Sequence, residues 1–271
     1  MANAFGKIIL AGEHAVVYGY PAIAQTINKE VSVRASQSFG KKATFHFLQP
    51  ALSSGGEIFD QVLARLTVLL GDRVQKLSFD IESNVPGGCG LGSSAALSVA
   101  LIRSVLDFYE ETRTSGEVAA MAMDLEKIFH GNPSGVDHTT IAHEGLIWFQ
   151  KGKLEPVLSA KPLKFEILMG SPHRGTLKAV QSVRDFYEAE PMRVRSIFEE
   201  IEALTYAMRK AIKIGDLKQV GLLMNQNHAL LKSLGVSTPE LDALCEQARQ
   251  KGALGAKLTG AGGGGCVIAL V

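Results

Sequence analysis

Between Pro86 and Ala96 the chain reads Pro-Gly-Gly-Cys-Gly-Leu-Gly-Ser-Ser-Ala-Ala, and this stretch constrains the fold more than any other. Ahead of it Leu77, Phe79 and Ile81 alternate as in a strand, and behind it Ala95, Val99, Ile102 and Leu106 recur at helical spacing. The order is strand, glycine loop, helix start. Gly87, Gly88, Gly90 and Gly92 remove the Cβ atoms that keep a bulky anion off the backbone, so successive N–H groups can turn around it. The first turn of the helix adds unpaired N–H groups and the positive end of its dipole. Such a loop suits phosphate, although a glycine-rich turn also forms for structural reasons alone. Ser93 and Ser94 either cap the helix or turn a hydroxyl to a phosphate or its magnesium ion. Gly88-x-Gly90-x-Gly92 is shorter than the dinucleotide fingerprint, and no acid stands at the expected distance downstream. The Gly-Lys-Ser/Thr ending of a Walker loop is missing as well.

Any anion must be met by such a local site, because the charge balance offers no general field. The 28 basic and 27 acidic residues leave a net charge of +1, with no electrostatic footprint for nucleic acid and no basic face for a membrane. No apolar run approaches the roughly 20 residues of a membrane span, and the N-terminus carries no charged-then-apolar signal segment. A cytoplasmic protein is expected. Its 271 residues, 46% of them hydrophobic, suffice for two modest domains. Cys89, Cys245 and Cys266 lack pair spacing and fit a reducing compartment, with Cys89 and Cys266 read as packing residues in glycine turns. None of the seven histidines makes a zinc pattern.

In chain order, Ala4–Leu10 reads as a strand that carries Lys7 and leads to Glu13 and His14 beside glycines. Strands are predicted over Val31–Ala35 and Ala43–Leu48 around a polar turn at 36–42, and an amphipathic helix over Glu57–Leu70. Helices Ala95–Tyr109 and Ser115–Phe129 follow the loop, and the second ends in His-Gly-Asn-Pro-Ser-Gly-Val-Asp over 130–137. Glu126 and Asp137, eleven residues apart across this turn, can face one cavity, one holding a metal and one taking a proton. Taken singly, each reads more readily as something ordinary, Glu126 as a solvated helix carboxylate and Asp137 as a cap on the next segment. A strand at Gly145–Phe149, a loose polar connection at Gln150–Lys161 and a strand at Phe165–Gly170 come next. Helices are predicted over Thr176–Glu188, Pro191–Ile214, Leu217–Leu234 (with Asn225, Asn227 and His228) and Pro239–Lys251. A second glycine loop, Gly255–Cys266, precedes a last strand, Val267–Val271.

Three stretches together carry a resemblance that none carries alone: Lys7 to Gly19 with its Gly-Glu-His-Ala-Val-Val core, Pro86 to Ala96, and Lys257-Leu-Thr-Gly-Ala-Gly-Gly-Gly-Gly-Cys266. In order and spacing they resemble the three motifs of the galactokinase, homoserine kinase, mevalonate kinase and phosphomevalonate kinase (GHMP) superfamily, over nearly the whole chain. Within it, Glu13-His14-Ala15-Val16-Val17 and the 130–137 stretch are similar to the mevalonate kinases. Galactokinases tend to follow Glu-His with Thr-Asp-Tyr, and phosphomevalonate kinases tend to have Glu-Tyr.

The resemblance implies an α/β (α+β) fold in two lobes, an N-terminal mixed-sheet lobe over 1–155 and a C-terminal ferredoxin-like lobe over 156–271, with the active site in the cleft. It implies ATP and mevalonate as substrates and magnesium as cofactor, and it leaves room for a homodimer. Pro86, Gly87, Gly88, Gly90, Leu91, Gly92, Ser93, Ser94 and Ala95 would wrap the ATP phosphates, with Ser94 and Glu126 on magnesium. Asp137 would accept the proton of the attacking hydroxyl, with Lys7 beside it stabilising the developing alkoxide. Glu13, His14 and Thr259 would line the mevalonate pocket. A kinase for a sugar or related alcohol, and a non-catalytic ligand-binding member, are the alternatives, since residues outside the motifs set specificity. Members of the superfamily continue past the third motif with another helix and strand. The chain ends sooner, so either it is incomplete or the second lobe has an open sheet edge. The stretch 173–178 departs from a family pattern at Leu177 and receives no role.

Overall fold

The computed structural model describes residues 1–38, 40, 43–48, 56–171 and 176–271. The turn expected over 36–42 and the stretch 173–178 lie partly outside the described residues. Two compact units interleave along the chain. The first takes Met1–Lys7, Thr26–Pro86 and Gly92–Glu144, and the second Ile8–Gln25, Gly87–Leu91 and Gly145–Val271. Strands β1 (Ala2–Ala11) and β2 (Ala22–Gln37) each have one part in either unit, and β1 pairs with β2.

In the first unit the later part of β2 pairs antiparallel with β4 (Leu77–Ser83), from Val31↔Ser83 to Gln37↔Leu77. Strand β3 (Thr44–Phe47) joins the other side of β4 in parallel. Leu77, Phe79 and Ile81, the alternating residues of β4, are all fully buried, and Phe45 stacks on Phe79 at 5.2 Å. Among the described residues the unit also holds four α-helices, α1 (Gly56–Leu70), α2 (Ser93–Phe108), α3 (Ser115–His130) and α4 (Val136–His143). Helix α2 is apolar almost all round, with Ala95, Val99, Leu101, Ile102 and Val105 at zero exposure, which makes it a central helix rather than a surface one. Helix α3 starts on a capping box, Thr114 Oγ1 accepting from Glu117 N–H while Glu117 accepts from Thr114 N–H.

In the second unit the early part of β2 pairs with β5 (Leu146–Gln150), which also pairs with β6 (Lys153–Pro156). A separate antiparallel sheet has the order β7 (Phe165–Met169), β9 (Cys266–Leu270), β8 (Gly255–Thr259). Helices α5 (Thr176–Ala189), α6 (Pro191–Ile214), α7 (Leu217–Ser233) and α8 (Pro239–Gln250) pack with it around Phe198, Ile201, Leu231, Leu241, Leu258 and Val267. Helix α7 touches the strand at backbone distance: a Cβ on Gly221 would collide with the main chain of Leu254, and one on Gly255 with that of Gly221.

This closeness covers the β8 side of the sheet. Asn225 Oδ1 accepts from Ala256 N–H at 2.9 Å and His228 Nδ1 from Leu258 N–H at 3.2 Å, so side chains of α7 satisfy the edge donors of β8.

Other expectations shift for identifiable reasons. The strand predicted at Val31–Ala35 is the end of a sixteen-residue β2 whose first three residues are consecutively buried, so no alternation marks them. Strand β6 lies in what reads as a loose connection, and its pattern is mostly exposed. Residues 255–259 are a fully buried strand rather than part of the glycine loop, and Cys266 opens β9 rather than sitting in a turn. Helix α4, which the sequence does not announce, starts directly after the Pro-Ser-Gly turn. Among the described residues no helix is long and apolar enough to cross a membrane.

Candidate active site

In the first unit the site begins at Gly92, which caps α2 in the left-handed conformation (φ 73°) without any side-chain capping bond. Ser93 and Ser94 therefore do not cap the helix. Ser94 Oγ donates to Glu126 Oε2 at 3.1 Å, and one turn further along α2 Ser98 Oγ donates to Glu126 Oε1 at 3.1 Å. His130 Nε2 lies 2.9 Å from Ser94 Oγ. Glu126 is 1% exposed, not the solvated helix residue of the alternative reading. Burial, and then the negative charge of Asp137, push its pKa up to about 8, while Ser94, Ser98 and Lys7 hold it down in part. Burial also lowers the pKa of His130.

Gly92 has a second consequence. A Cβ there would lie 2.9 Å from Lys7 Cγ and 3.1 Å from Cε, so the last glycine of the loop makes the room in which the Lys7 stem lies. Lys7, 1% exposed, reaches Asp137 Oδ1 at 3.0 Å. Asp137 stands in the first turn of α4 behind a left-handed Gly135, the N-cap residue, and its side chain keeps 36% exposure. A buried ammonium thus faces a half-exposed carboxylate, an arrangement that can take a proton from an alcohol and stabilise the oxygen left behind. Next to it His138 is 4% exposed, its Nδ1 has no partner among the described residues, and burial lowers its pKa to about 4.

In the second unit Gly87 and Gly88 leave the exposed part of the glycine loop, Cys89 Sγ turns back to Gly87 O at 3.4 Å, and Leu91 is buried. Gly90 lies against the main chain of Thr259 and Gly260, so the two glycine loops touch here. Glu13 and Lys257 form an ion pair at 1% and 0% exposure. The ammonium also donates to Ile9 O at 3.2 Å and Leu258 O at 2.7 Å, which occupies its three protons. Asn227 Nδ2 donates to the second Glu13 oxygen at 3.0 Å. His14, at a positive φ of 61°, meets Ala261 O through Nε2 at 2.9 Å and is 6% exposed. Thr259 is 1% exposed; its Oγ1 accepts from Ile9 N–H at 2.9 Å and lies 3.4 Å from Ile9 O.

The structure therefore brings Lys7, Ser94, Glu126 and Asp137 together in one unit, and Glu13, His14 and Thr259 together in the other. Sequence reasoning misses His130, Ser98 and Asn227, and gives Lys257 no role apart from its loop. A lysine between apolar residues and a glycine run was the available signal for Lys257. Nothing in the spacing singles out Ser98 or Asn227 for their partners. Among the described residues no group of three or more His, Cys, Asp and Glu side chains could hold a metal ion. The donor pair Ser94 and Glu126, both hard oxygens, is of the kind that magnesium takes together with phosphate and water.

Comparison with known proteins shows the family. The family model described as GHMP kinases N terminal domain matches residues 57–145, and that described as GHMP kinases C terminal matches 208–271. The chain is 35% identical to the mevalonate kinase of Thermococcus sibiricus, over 100% of this chain and 88% of that protein. It is also 35% identical to that of Methanothermobacter thermautotrophicus, over 99% and 89%. The L. major mevalonate kinase solved in complex with R-mevalonate superposes with a TM-score of 0.87 at 30% identity, covering 99% of this chain and 86% of that one. The chain belongs to the GHMP kinases and, within them, to the mevalonate kinase family.

Proposed function

We propose that the protein is a mevalonate kinase, which transfers the γ-phosphoryl group of ATP to the primary hydroxyl of mevalonate and yields 5-phosphomevalonate and ADP. The observation that carries this reading is the Lys7–Asp137 pair at 3.0 Å, in the same unit as the Ser94–Glu126 pair. Asp137 accepts the hydroxyl proton as the oxygen attacks phosphorus. Lys7 meets the charge that develops on that oxygen, and ADP leaves. Phosphoryl transfer asks little covalent help from protein, so holding the two substrates and neutralising charge supply most of the rate.

Pro86 to Ala95 hold the ATP phosphates through the N–H groups of the glycine loop and the first turn of α2. Ser94 and Glu126 would be the ligands for magnesium. That ion would neutralise the phosphate charge, and it would add to the stabilisation that the Glu126 carboxylate takes from Ser94, Ser98 and Lys7. Glu13, His14 and Thr259 belong to the mevalonate pocket, with Glu13 and Thr259 acting through the backbone they hold. The same reading takes 1–155 and 156–271 as the two inherited lobes and the cytoplasm as the working compartment, with a homodimer as an assembly open to the chain and no nucleic acid or membrane.

A panel of alcohols incubated with ATP and magnesium and scored for ADP release tests the assignment. Mevalonate is expected to turn over, with galactose and homoserine inactive. Faster turnover of galactose than of mevalonate would overturn it.

A further inference from the structure

Helix α7 presents three polar side chains, Asn225, Asn227 and His228, that phosphoryl transfer leaves without a part. Two of them hold strand β8 from its edge, through the N–H groups of Ala256 and Leu258, and Lys257 stands between those two anchors. The third reaches Glu13 instead. His228 is itself fixed by Asp242, 3.0 Å from its Nε2, and because Nδ1 accepts from Leu258 N–H the ring must carry its proton on Nε2.

Both Glu13 oxygens are taken, one by Lys257 and one by Asn227, and the side chain is 1% exposed. Such a carboxylate acts on a ligand only through the groups it holds in place. The adjoining residue, His14, has a φ of 61° that a residue with a Cβ seldom adopts and that persists only where the surroundings impose it.

Asn227 is fully buried, and its Oδ1 has no partner among the described residues. Turning the amide over would set that oxygen against the Glu13 carboxylate, so the orientation is dictated by Glu13. A residue serving packing alone would carry no unsatisfied buried oxygen. The amide is kept for its bond to Glu13.

We propose that Asn227 is a positioning residue for the acceptor alcohol: it holds Glu13 against Lys257 and thereby sets the Glu13–His14 turn. The proposal rests on the reading of His14 as part of the mevalonate pocket. Its test compares Asn227→Ala and the isosteric Asn227→Asp with Asn225→Ala, which loses a bond to β8 but none to Glu13. Two readouts are taken, steady-state kinetics for mevalonate and ATP, and backbone hydrogen exchange over residues 12–19 without substrate.

Both Asn227 variants should raise KM for mevalonate about tenfold or more while KM for ATP stays within about twofold, and should speed exchange of the 12–19 turn severalfold. Asn225→Ala should leave both readouts near the wild type. Should Asn227→Ala not fold, Asn227→Asp carries the same comparison. Unchanged exchange in the turn, an equal rise in both KM values, or the same effects from Asn225→Ala would overturn the proposal. If the wild-type protein does not phosphorylate mevalonate, the assignment of function falls, and the exchange data alone then decide whether Asn227 sets the turn.

Discussion

Glu126 and Asp137 carry the same functional group within one unit, and their surroundings divide the work between them. Glu126 is buried and holds two serine hydroxyls, whereas Asp137 keeps a third of its side chain in solvent and faces one ammonium. Of the two, Asp137 is the one with solvent access and an ammonium at 3.0 Å, which suits it to the proposed role of base. Asp137→Asn keeps the shape but cannot accept a proton, and it is expected to lower kcat by about two to four orders of magnitude, the span of general-base catalysis. The affinity for ATP should hardly change, because the glycine loop and the Ser94–Glu126 pair are untouched. Single-turnover phosphoryl transfer alongside nucleotide binding checks both halves of this expectation, and a near-normal kcat would leave Lys7 and the metal to activate the hydroxyl.

At the scale of elements the decisive contact is that of α7 with β8. Two glycines let helix backbone and strand backbone touch, and this brings polar side chains of the helix to the N–H groups along the strand edge. Gly221→Ala would drive a methyl group into the carbonyl of Leu254, which is backbone and cannot swing aside. Overpacking of this kind costs about 1–3 kcal/mol. A lower urea midpoint at unchanged m-value is the expected result, and a midpoint equal to the wild type would mean that helix and strand separate more readily than their spacing implies. Neither glycine announces this in the sequence, since one stands inside a helical pattern and the other opens what reads as a glycine loop.

For the molecule as a whole, His138 ties stability to pH. Its folded pKa of about 4 lies below the ordinary histidine value, so between the two the unfolded chain binds a proton that the folded protein refuses. Stability from this group is full above the ordinary value and is lost as pH falls toward 4. Taking the pH from 7.5 to 5 should cost about 2 kcal/mol through this residue. Denaturant midpoints of the wild type and His138→Gln at the two pH values isolate it. The variant should lose less on acidification, and parallel losses would remove His138 from the account.

Lys7, Ser94, Glu126 and Asp137 became a set only through the resemblance of the three motifs, but local chemistry in the chain was enough for the strand, glycine loop and helix around Pro86–Ala96 and for most helices from their spacing. Each of these follows from neighbours a few positions away: glycines without Cβ atoms, a 3.6-residue period, a turn of Pro-Ser-Gly. The partners of those residues were not legible. That Glu13 meets Lys257 and Asn227, that Thr259 spends its hydroxyl on Ile9, and that β8 is a strand guarded by α7 depend on segments more than two hundred positions apart or on a helix laid against an edge. Burial decides such pairings, because a charge or an N–H removed from water must find its partner wherever the fold supplies one, and one-dimensional spacing does not record which distant residue will stand there.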